Sequence, residues 1–492
     1  MPRRARRPLH VNLFEMNCVS HITHGLWVLP GNTRERFNEL EFWTEEAKLL
    51  EDAAFDAVFL ADVIGAYDGF RGGPETSLRE GMQIPNNDPL SVVPAMAAVT
   101  RNLGFAVVHS TSYEPPFAFA RRMSTLDHLT RGRVGWNAVT SYLPNAARNF
   151  GHGDEIEHDL RYEIADEFVD VVLKLWEGSW DDDAVLADRE RGIYTDPAKV
   201  RRIDHKGAHF EVEGPHLSQP SRQRSPVLFQ AGGSAQGRQL AARNAEAVFF
   251  GAPTLEAARR QILDTRARAS LLGRDPWSLA FFPLAFVITG RTDEAVARRV
   301  AEYDRLYSVD GYLAHRSHGL DWTRYPREER LGAIIERRDP GYQNLVGGWG
   351  YRPEQTVGDV LDALKAGSWG PFQVAGTPSV VVDEIERWVE ETGIAGFNLV
   401  QHHTPGTAEE FAELIVPELR RRGLFREGYE DGETLRSRLW GPGRDRLADD
   451  HPGARYRDPA QLAVPRDPFT LPDEAAVAAE AARLAREDAA RG

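Results

Sequence analysis

The residues whose types and spacing suit chemistry gather in three stretches of this chain. In FEMNCVSHITHGLW, His21 and His24 lie three apart and follow Cys18, the only cysteine. Neither HExxH nor a further ligand at standard spacing accompanies the two histidines, so hydrogen bonding or proton transfer suits them better than metal binding. Cys18 reads first as small buried filler, because a reactive thiol needs a basic, accessible setting. The second stretch is RGRVGWNAVTSYLPNAARNFG at 131–151, where Asn137, Thr140, Ser141, Tyr142, Asn145, Arg148 and Asn149 crowd the end of a short apolar run. In a parallel barrel, residues just past a strand face the ligand, so this loop suits a polar, ring-shaped molecule; a capped strand-to-helix loop is the plain alternative. The third is AGGSAQGRQLAARNA at 231–245. Its glycines let backbone N–H groups approach an anion at a helix start, which suits a phosphate near Gly232, Gly233 and Ser234, with an ordinary tight turn as the alternative. It contains neither GK[ST] nor GxGxxG. Asp62, closing FLAD, reads either as a ligand-facing group or as a loop cap.

Positioning these groups requires strands that end beside one another. Short β-rich runs at 11–16, 57–61, 103–108, 134–137, 227–230, 248–250, 284–288 and 397–400 alternate with helical patterns, for example at 41–54 and 158–176. Eight such units predict a (β/α)8 barrel, an α/β TIM-barrel fold. A minimal barrel takes about 250 residues, so much of this 492-residue chain is insertion and tail. We expect a disordered basic arm at 1–9, one barrel over 10–420 with insertions at about 64–88, 178–225 and 303–377, and a C-terminal extension at 421–492. The extension, charged and proline-containing, reads as an arm across the surface or a neighbouring subunit; its last part, 473–486, reads as a helix or as disordered. In the longest insertion, Gly347, Gly348, Trp349, Gly350, Gly367, Trp369, Gly370 and Pro371 suggest an irregular, mobile lid.

Composition removes several classes of function. With 59 basic against 74 acidic residues the net charge is -15, which argues against nucleic acid and anionic membranes as partners. A single cysteine excludes an internal disulfide and fits a reducing cytoplasm. No run approaches a membrane span or a signal peptide, so a soluble cytoplasmic protein is expected, with no metal.

The opening FEMNCVSHITHGLW and the stretch WNAVTSYLPNAARNFG resemble the two-component, FMN-dependent monooxygenases of the bacterial-luciferase superfamily, nearest their long-chain alkane branch, over about residues 10–457. That resemblance implies FMN as cofactor, supplied as FMNH2 by a separate NAD(P)H-dependent flavin reductase, with O2 oxygenating a small organic substrate. It implies that Gly232, Gly233, Ser234 and Tyr162 hold the FMN phosphate, and that Asp62, Ser110, Thr111, Asn137 and Ser141 lie near the ring. It further implies a substrate wall of Cys18, His21, Tyr67, Gln83 and His315, with Tyr142 where the alkane pattern has histidine. Tyrosine is bulkier and a poor base at neutral pH, its reference pKa being about 10. A heterocyclic or aromatic substrate, as in the riboflavin lyases, therefore stands beside a long-chain alkane. A non-catalytic flavin carrier is the reading from another class. A homodimer is the family's usual assembly.

Overall fold

The computed structural model describes residues 8–252, 254–317, 320–339, 342–345, 351–365 and 372–491. Eight parallel strands follow in order: β1 (His10–Met16), β2 (Ala57–Ala61), β3 (Gly104–Ser110), β4 (Val134–Val139), β5 (Val227–Ala231), β6 (Ala247–Phe250), β7 (Ala280–Thr289) and β8 (Gly396–Val400). Each pairs with the next and β8 returns to β1, so the sheet closes into the expected (β/α)8 barrel. A ninth strand, Phe372–Gly376, runs along the far half of β7.

Side-chain alternation explains why these runs form barrel strands. Val11 and Leu13 of β1, Val58 and Leu60 of β2, and Phe105 and Val107 of β3 pack outward against the helices. Phe14, Met16, Phe59, Ala61, Ala106 and Val108 point inward. The period-2 geometry of a strand sends neighbours to opposite faces, and here both faces are apolar, as parallel barrels require. The interior is filled by rings: Phe59 lies 5.7 Å from Phe14, 5.4 Å from Phe229 and 5.3 Å from Phe249 between centroids. It is a packed core rather than a pore.

The tail departs from the expected surface arm. A short helix, Leu435–Trp440, enters the floor of the barrel, where Leu435 and Leu439 join the inner cluster. Its polar groups bind the starts of successive strands. The Leu435 amide donates to Gly132 O at 2.9 Å. Arg438 donates to Asp56 O at 2.8 Å and Asn102 O at 2.6 Å. Arg436 donates to Ser225 O at 3.0 Å and Pro226 O at 2.9 Å, and pairs with Glu246 at 2.8 Å. Trp440 Nε1 donates to Ser278 O at 3.1 Å. Farther on, Glu474–Arg491 forms a helix whose Val477 and Leu484 are buried with Ala267.

The three regions expected as insertions carry their own structure. The first holds the helix Glu75–Arg79, and the second holds two small hairpins, Val185–Asp188 with Ile193–Thr195 and His205–Lys206 with Glu211–Val212. In the third, helices Val309–Ser317, Leu331–Arg337 and Val357–Lys365 surround an apolar cluster of Leu313, Trp322, Leu331, Ile334, Val357 and Val360 that includes Tyr67. Its described part is therefore a helical cap rather than an irregular lid; the Gly and Trp cluster at 347–350 and 367–371, and residues 1–7 of the basic arm, lie outside the described residues. Among the described residues no helix is long and apolar enough to cross a membrane.

Arg436 and Glu246 are both buried, so removing one charge strands the other. Arg436→Ala is expected to cost about 3–5 kcal/mol in equilibrium urea unfolding, with part of that loss recovered in Arg436→Ala/Glu246→Gln. A single-variant loss below about 1 kcal/mol would show that the floor is not held this way.

Candidate active site

At the C-terminal end of β5, Gly232, Gly233 and Ser234 turn the chain into the helix Ala235–Asn244. Ser234 caps that helix, its Oγ accepting from the Gly237 amide at 3.0 Å. Ser234 Oγ also lies 3.3 Å from Tyr162 OH, which the helix His158–Leu173 brings across. The turn is tight enough to demand glycine: a Cβ on Gly232 would meet Gly237 Cα at 2.8 Å. Two hydroxyls, close backbone and the positive end of a ten-residue helix together suit a phosphate.

Beside this turn the strand ends present a polar rim above the phenylalanine layer. Asn137 of β4 pairs in register with Val108 and Phe229, and its buried Oδ1 has no hydrogen-bond partner. A buried amide oxygen without a donor is costly, so this position suits a ring ligand carrying an N–H. Ser110, at the inward end of β3, accepts from Ser141 Oγ at 2.7 Å. The Ser141 carbonyl accepts from Arg161, the residue before Tyr162. The Thr111 hydroxyl donates to Val139 O at 3.2 Å and so staples β3 to β4. Asp62 accepts from Asn86 Nδ2 at 3.0 Å, and burial pushes its carboxyl up to about 6 despite that bond and nearby His109.

The residues expected on the substrate side come together in two contact groups, one of which takes in His315 from the cap helix Val309–Ser317. Tyr67 and Tyr142 share a hydroxyl–hydroxyl hydrogen bond, and the Tyr67 ring stands edge-on to His315, 5.1 Å between centroids. His315 Nδ1 lies 3.0 Å from His24 Nε2. Gln83 Nε2 donates to His21 O at 3.0 Å, and the His21 ring packs 4.5 Å from Phe14. Cys18 bridges through its backbone to Asn86, the partner of Asp62, which ties this wall to the polar rim. Burial keeps three of them neutral: it pushes the Cys18 thiol up to about 12, holds His21 well below the usual imidazole range, and raises the Tyr67 phenol. Cys18 is thus a thiol at neutral pH, and thiolate chemistry is not what it supplies.

Gln83 and Ser141 both adopt left-handed backbone, with φ of 52° and 51°. Such conformations cost about 1–3 kcal/mol outside glycine and gather at functional sites, where surrounding contacts hold them. Arg161, Asn86 and the partnership of His24 with His315 were not singled out by the sequence. Arg161 carried one available signal, adjacency to Tyr162; the histidine pair spans 291 residues and carried none.

Because the folded protein binds the Asp62 proton more tightly than the ordinary value of 3.8, this residue favours the fold below about pH 4 and progressively less as pH rises through 6. Asp62→Asn is therefore expected to be more stable than the parent at pH 7, by up to about 3 kcal/mol, with the difference shrinking toward pH 4 in urea titrations. A pH-independent difference would remove the proposed shift.

Residues 18–396 match the family described as luciferase-like monooxygenase. The long-chain alkane monooxygenase of Geobacillus thermodenitrificans is 48% identical over 456 residues, covering 92% of this chain and 98% of that protein. A crystal structure of long-chain alkane monooxygenase superposes with a TM-score of 0.85 at 48% identity, covering 92% of this chain and all of that one. A crystal structure of riboflavin lyase with modified FMN and riboflavin gives the same TM-score at 36% identity, covering 92% of this chain and 100% of its own. The barrel, the glycine turn and the extent of these matches agree, and the chain belongs to the luciferase-like monooxygenase family, as a two-component flavin-dependent monooxygenase.

Proposed function

We propose that the chain takes up FMN already reduced by a separate NAD(P)H-dependent reductase and uses O2 to oxygenate an organic substrate, with a long-chain alkane as first candidate. The observation that carries this reading is one barrel mouth with both a turn suited to a phosphate, Gly232 to Ser234 with Tyr162, and an uncharged wall of buried Tyr67 and His21 with half-buried Tyr142. Bound reduced flavin supplies the electrons that activate O2. Ser234, Tyr162 and the helix start would hold its phosphate, while Asn137 Oδ1 would accept from the ring edge. Of the two neutral phenols Tyr67 and Tyr142, one donates to the other, and the remaining hydroxyl hydrogen would be donated to an oxygen atom at the reacting centre, while the cap helices Val309–Ser317, Leu331–Arg337 and Val357–Lys365 together with 64–88 would keep water out. Supporting context for a cytoplasmic homodimer is the family's usual assembly and one buried, unpaired cysteine.

A second reading keeps the flavin chemistry and changes the substrate to a heterocyclic or aromatic molecule. Tyr142 favours it, because its hydroxyl is committed to Tyr67 and its ring narrows the space a histidine would leave. The similarity to riboflavin lyase supports the same direction.

The pure protein is expected to bind reduced FMN more tightly than oxidised FMN, and to turn over with NADH and FMN only when a reductase is added. Full activity without reductase would overturn this. Products from a panel of alkanes, aromatic sulfones, aminopolycarboxylates and riboflavin would separate the two substrate readings. Within that assay, Tyr67→Phe and His315→Ala should lower oxygenation by about 10²-fold while sparing flavin affinity; Ser234→Ala should do the reverse, weakening FMN first. Equal loss of flavin affinity in Tyr67→Phe and His315→Ala would remove their assigned place.

A further inference from the structure

The phenol pair is built from two separate loops. Tyr67 lies in the segment after β2 and Tyr142 in the segment after β4, and their hydroxyls share a hydrogen bond with the ring centroids 6.3 Å apart. In the sheet β3 lies between β2 and β4, so no strand pairing fixes the distance between these loops. Side chains must do it.

Asn145 is the side chain that reaches across. It stands in the short helix Pro144–Asn149, three residues beyond Tyr142. Its Oδ1 accepts from the Ala66 amide at 2.9 Å, and its Nδ2 donates to Asp68 Oδ2 at 3.3 Å. Ala66 and Asp68 flank Tyr67 in the chain, so one amide holds the loop on both sides of the phenol. Chemistry fixes which way that amide points, because a backbone N–H can only donate and a carboxylate can only accept. Arg148, one helical turn on, pairs with the same Asp68 carboxylate, and Asn149 Nδ2 donates to Asn145 Oδ1 at 3.0 Å.

The backbones close up at the same place. A Cβ on Gly65 would lie 2.6 Å from Ala146 N, so the loop rests directly on the helix. Ser77, in the helix Glu75–Arg79, donates its hydroxyl to Tyr67 O at 2.7 Å and fixes the phenol's own peptide. Asn145 and Arg148, which their place after β4 groups with ligand-facing residues, thus direct their hydrogen bonds to a neighbouring loop.

We propose that Asn145 is a positioning residue for oxygenation: by holding Ala66 and Asp68 it sets the contact between the Tyr67 and Tyr142 hydroxyls. This rests on the proposed place of the phenol pair at the reacting centre. Supporting contacts of this kind hold a site in its productive geometry, and a misplacement of about 1 Å can cost about 10²-fold in rate.

Carbon-13 spectra of flavin-free, full-length protein labelled at tyrosine Cζ read the contact directly, with Tyr67→Phe and Tyr142→Phe identifying the two signals. Tyr142→Phe should move the Tyr67 signal, because it removes the hydroxyl partner, and Asn145→Ala should abolish most of that response. Asn145→Asp keeps the acceptor for Ala66 but sets a second carboxylate against Asp68, so the response should weaken. Asn145→Asp combined with Asp68→Asn reverses the polarity of that second bond and should restore it, a comparison that stands even where Asn145→Ala fails to fold. In the FMNH2 assay Asn145→Ala should fall about tenfold in turnover with reduced-FMN affinity unchanged, and the combined variant should recover most of what Asn145→Asp loses. A Tyr67 response that persists undiminished in Asn145→Ala overturns the proposal, as does a combined variant no better than Asn145→Asp. Loss of the response with turnover unchanged overturns instead the place of the phenol pair in oxygenation, since the spectra need neither flavin nor activity.

Discussion

The floor of the barrel is held by two arginines from the tail. Arg436 and Arg438 between them bind carbonyls at the starts of β2, β3 and β5, and Arg436 neutralises Glu246 at the start of β6. Once covered, backbone carbonyls in these positions have no water to turn to; Asp56 O also takes the Gly104 amide at 2.9 Å, and the arginines supply the further donors. Guanidinium groups can satisfy several at once, which a lysine could not do in the same plane. With the floor sealed and the phenylalanine layer above it filled, the free space for a ligand lies at the C-terminal ends of the strands. The tail, far from the chemistry in sequence, thereby defines the end of the barrel at which chemistry occurs.

At that end, burial dominates the electrostatics. Desolvation disfavours charge on the titratable groups around the substrate side, raising the Cys18 thiol and the Tyr67 and Tyr142 phenols and lowering His21 and the neighbouring His24. Beneath the loop charges are paired: Arg34 binds Glu15, and Gln401 spans Glu15 at 2.6 Å and Glu46 at 2.9 Å. The lone arginine cannot neutralise both carboxylates, and burial raises Glu46 so that it keeps its proton. The wall consequently works by hydrogen bonds between neutral partners. Such a surface can orient a reactive oxygen species without offering water or a strong acid to consume it.

Helix placement and local strain complete the site. The first turns of His158–Leu173 deliver Arg161 to the Ser141 carbonyl and Tyr162 to Ser234, so one element touches both the ring side and the phosphate side. Ser141 accepts left-handed backbone in the process, as Gln83 does under the wall. The helical cap adds the remaining side through Leu313, Trp322 and Leu331, which share an apolar cluster with Tyr67. A ligand would thus be enclosed by the rim of the barrel and by a separately packed apolar cover.

The amino-acid sequence by itself determined the barrel, because parallel strands buried on both faces must be short apolar runs separated by helical patterns, and it pointed to the family through the resemblance carried by FEMNCVSHITHGLW and WNAVTSYLPNAARNFG. All eight strands lie where those runs lie, although β7 begins at Ala280, ahead of Pro283, which had masked its first residues. The glycine turn at 232–237 and the inward Asn137 were legible for the same local reason: a tight turn and a strand end are written in adjacent residues. Only tertiary structure decided the rest. Leu435–Trp440 is six residues long in a charged, proline-containing region, and nothing local marks it as the barrel floor. In the 303–377 region the described helices draw their stability from packing on Tyr67 and one another, which no local pattern announces; the glycines that made the region read as irregular lie outside the described residues. His24 meets His315 across 291 residues, and the Thr111 hydroxyl finds its acceptor in Val139 O on the neighbouring strand. Periodicity and composition report what each residue prefers, while proton positions and hydrogen-bond partners depend on which distant groups the closed barrel brings within 3 Å.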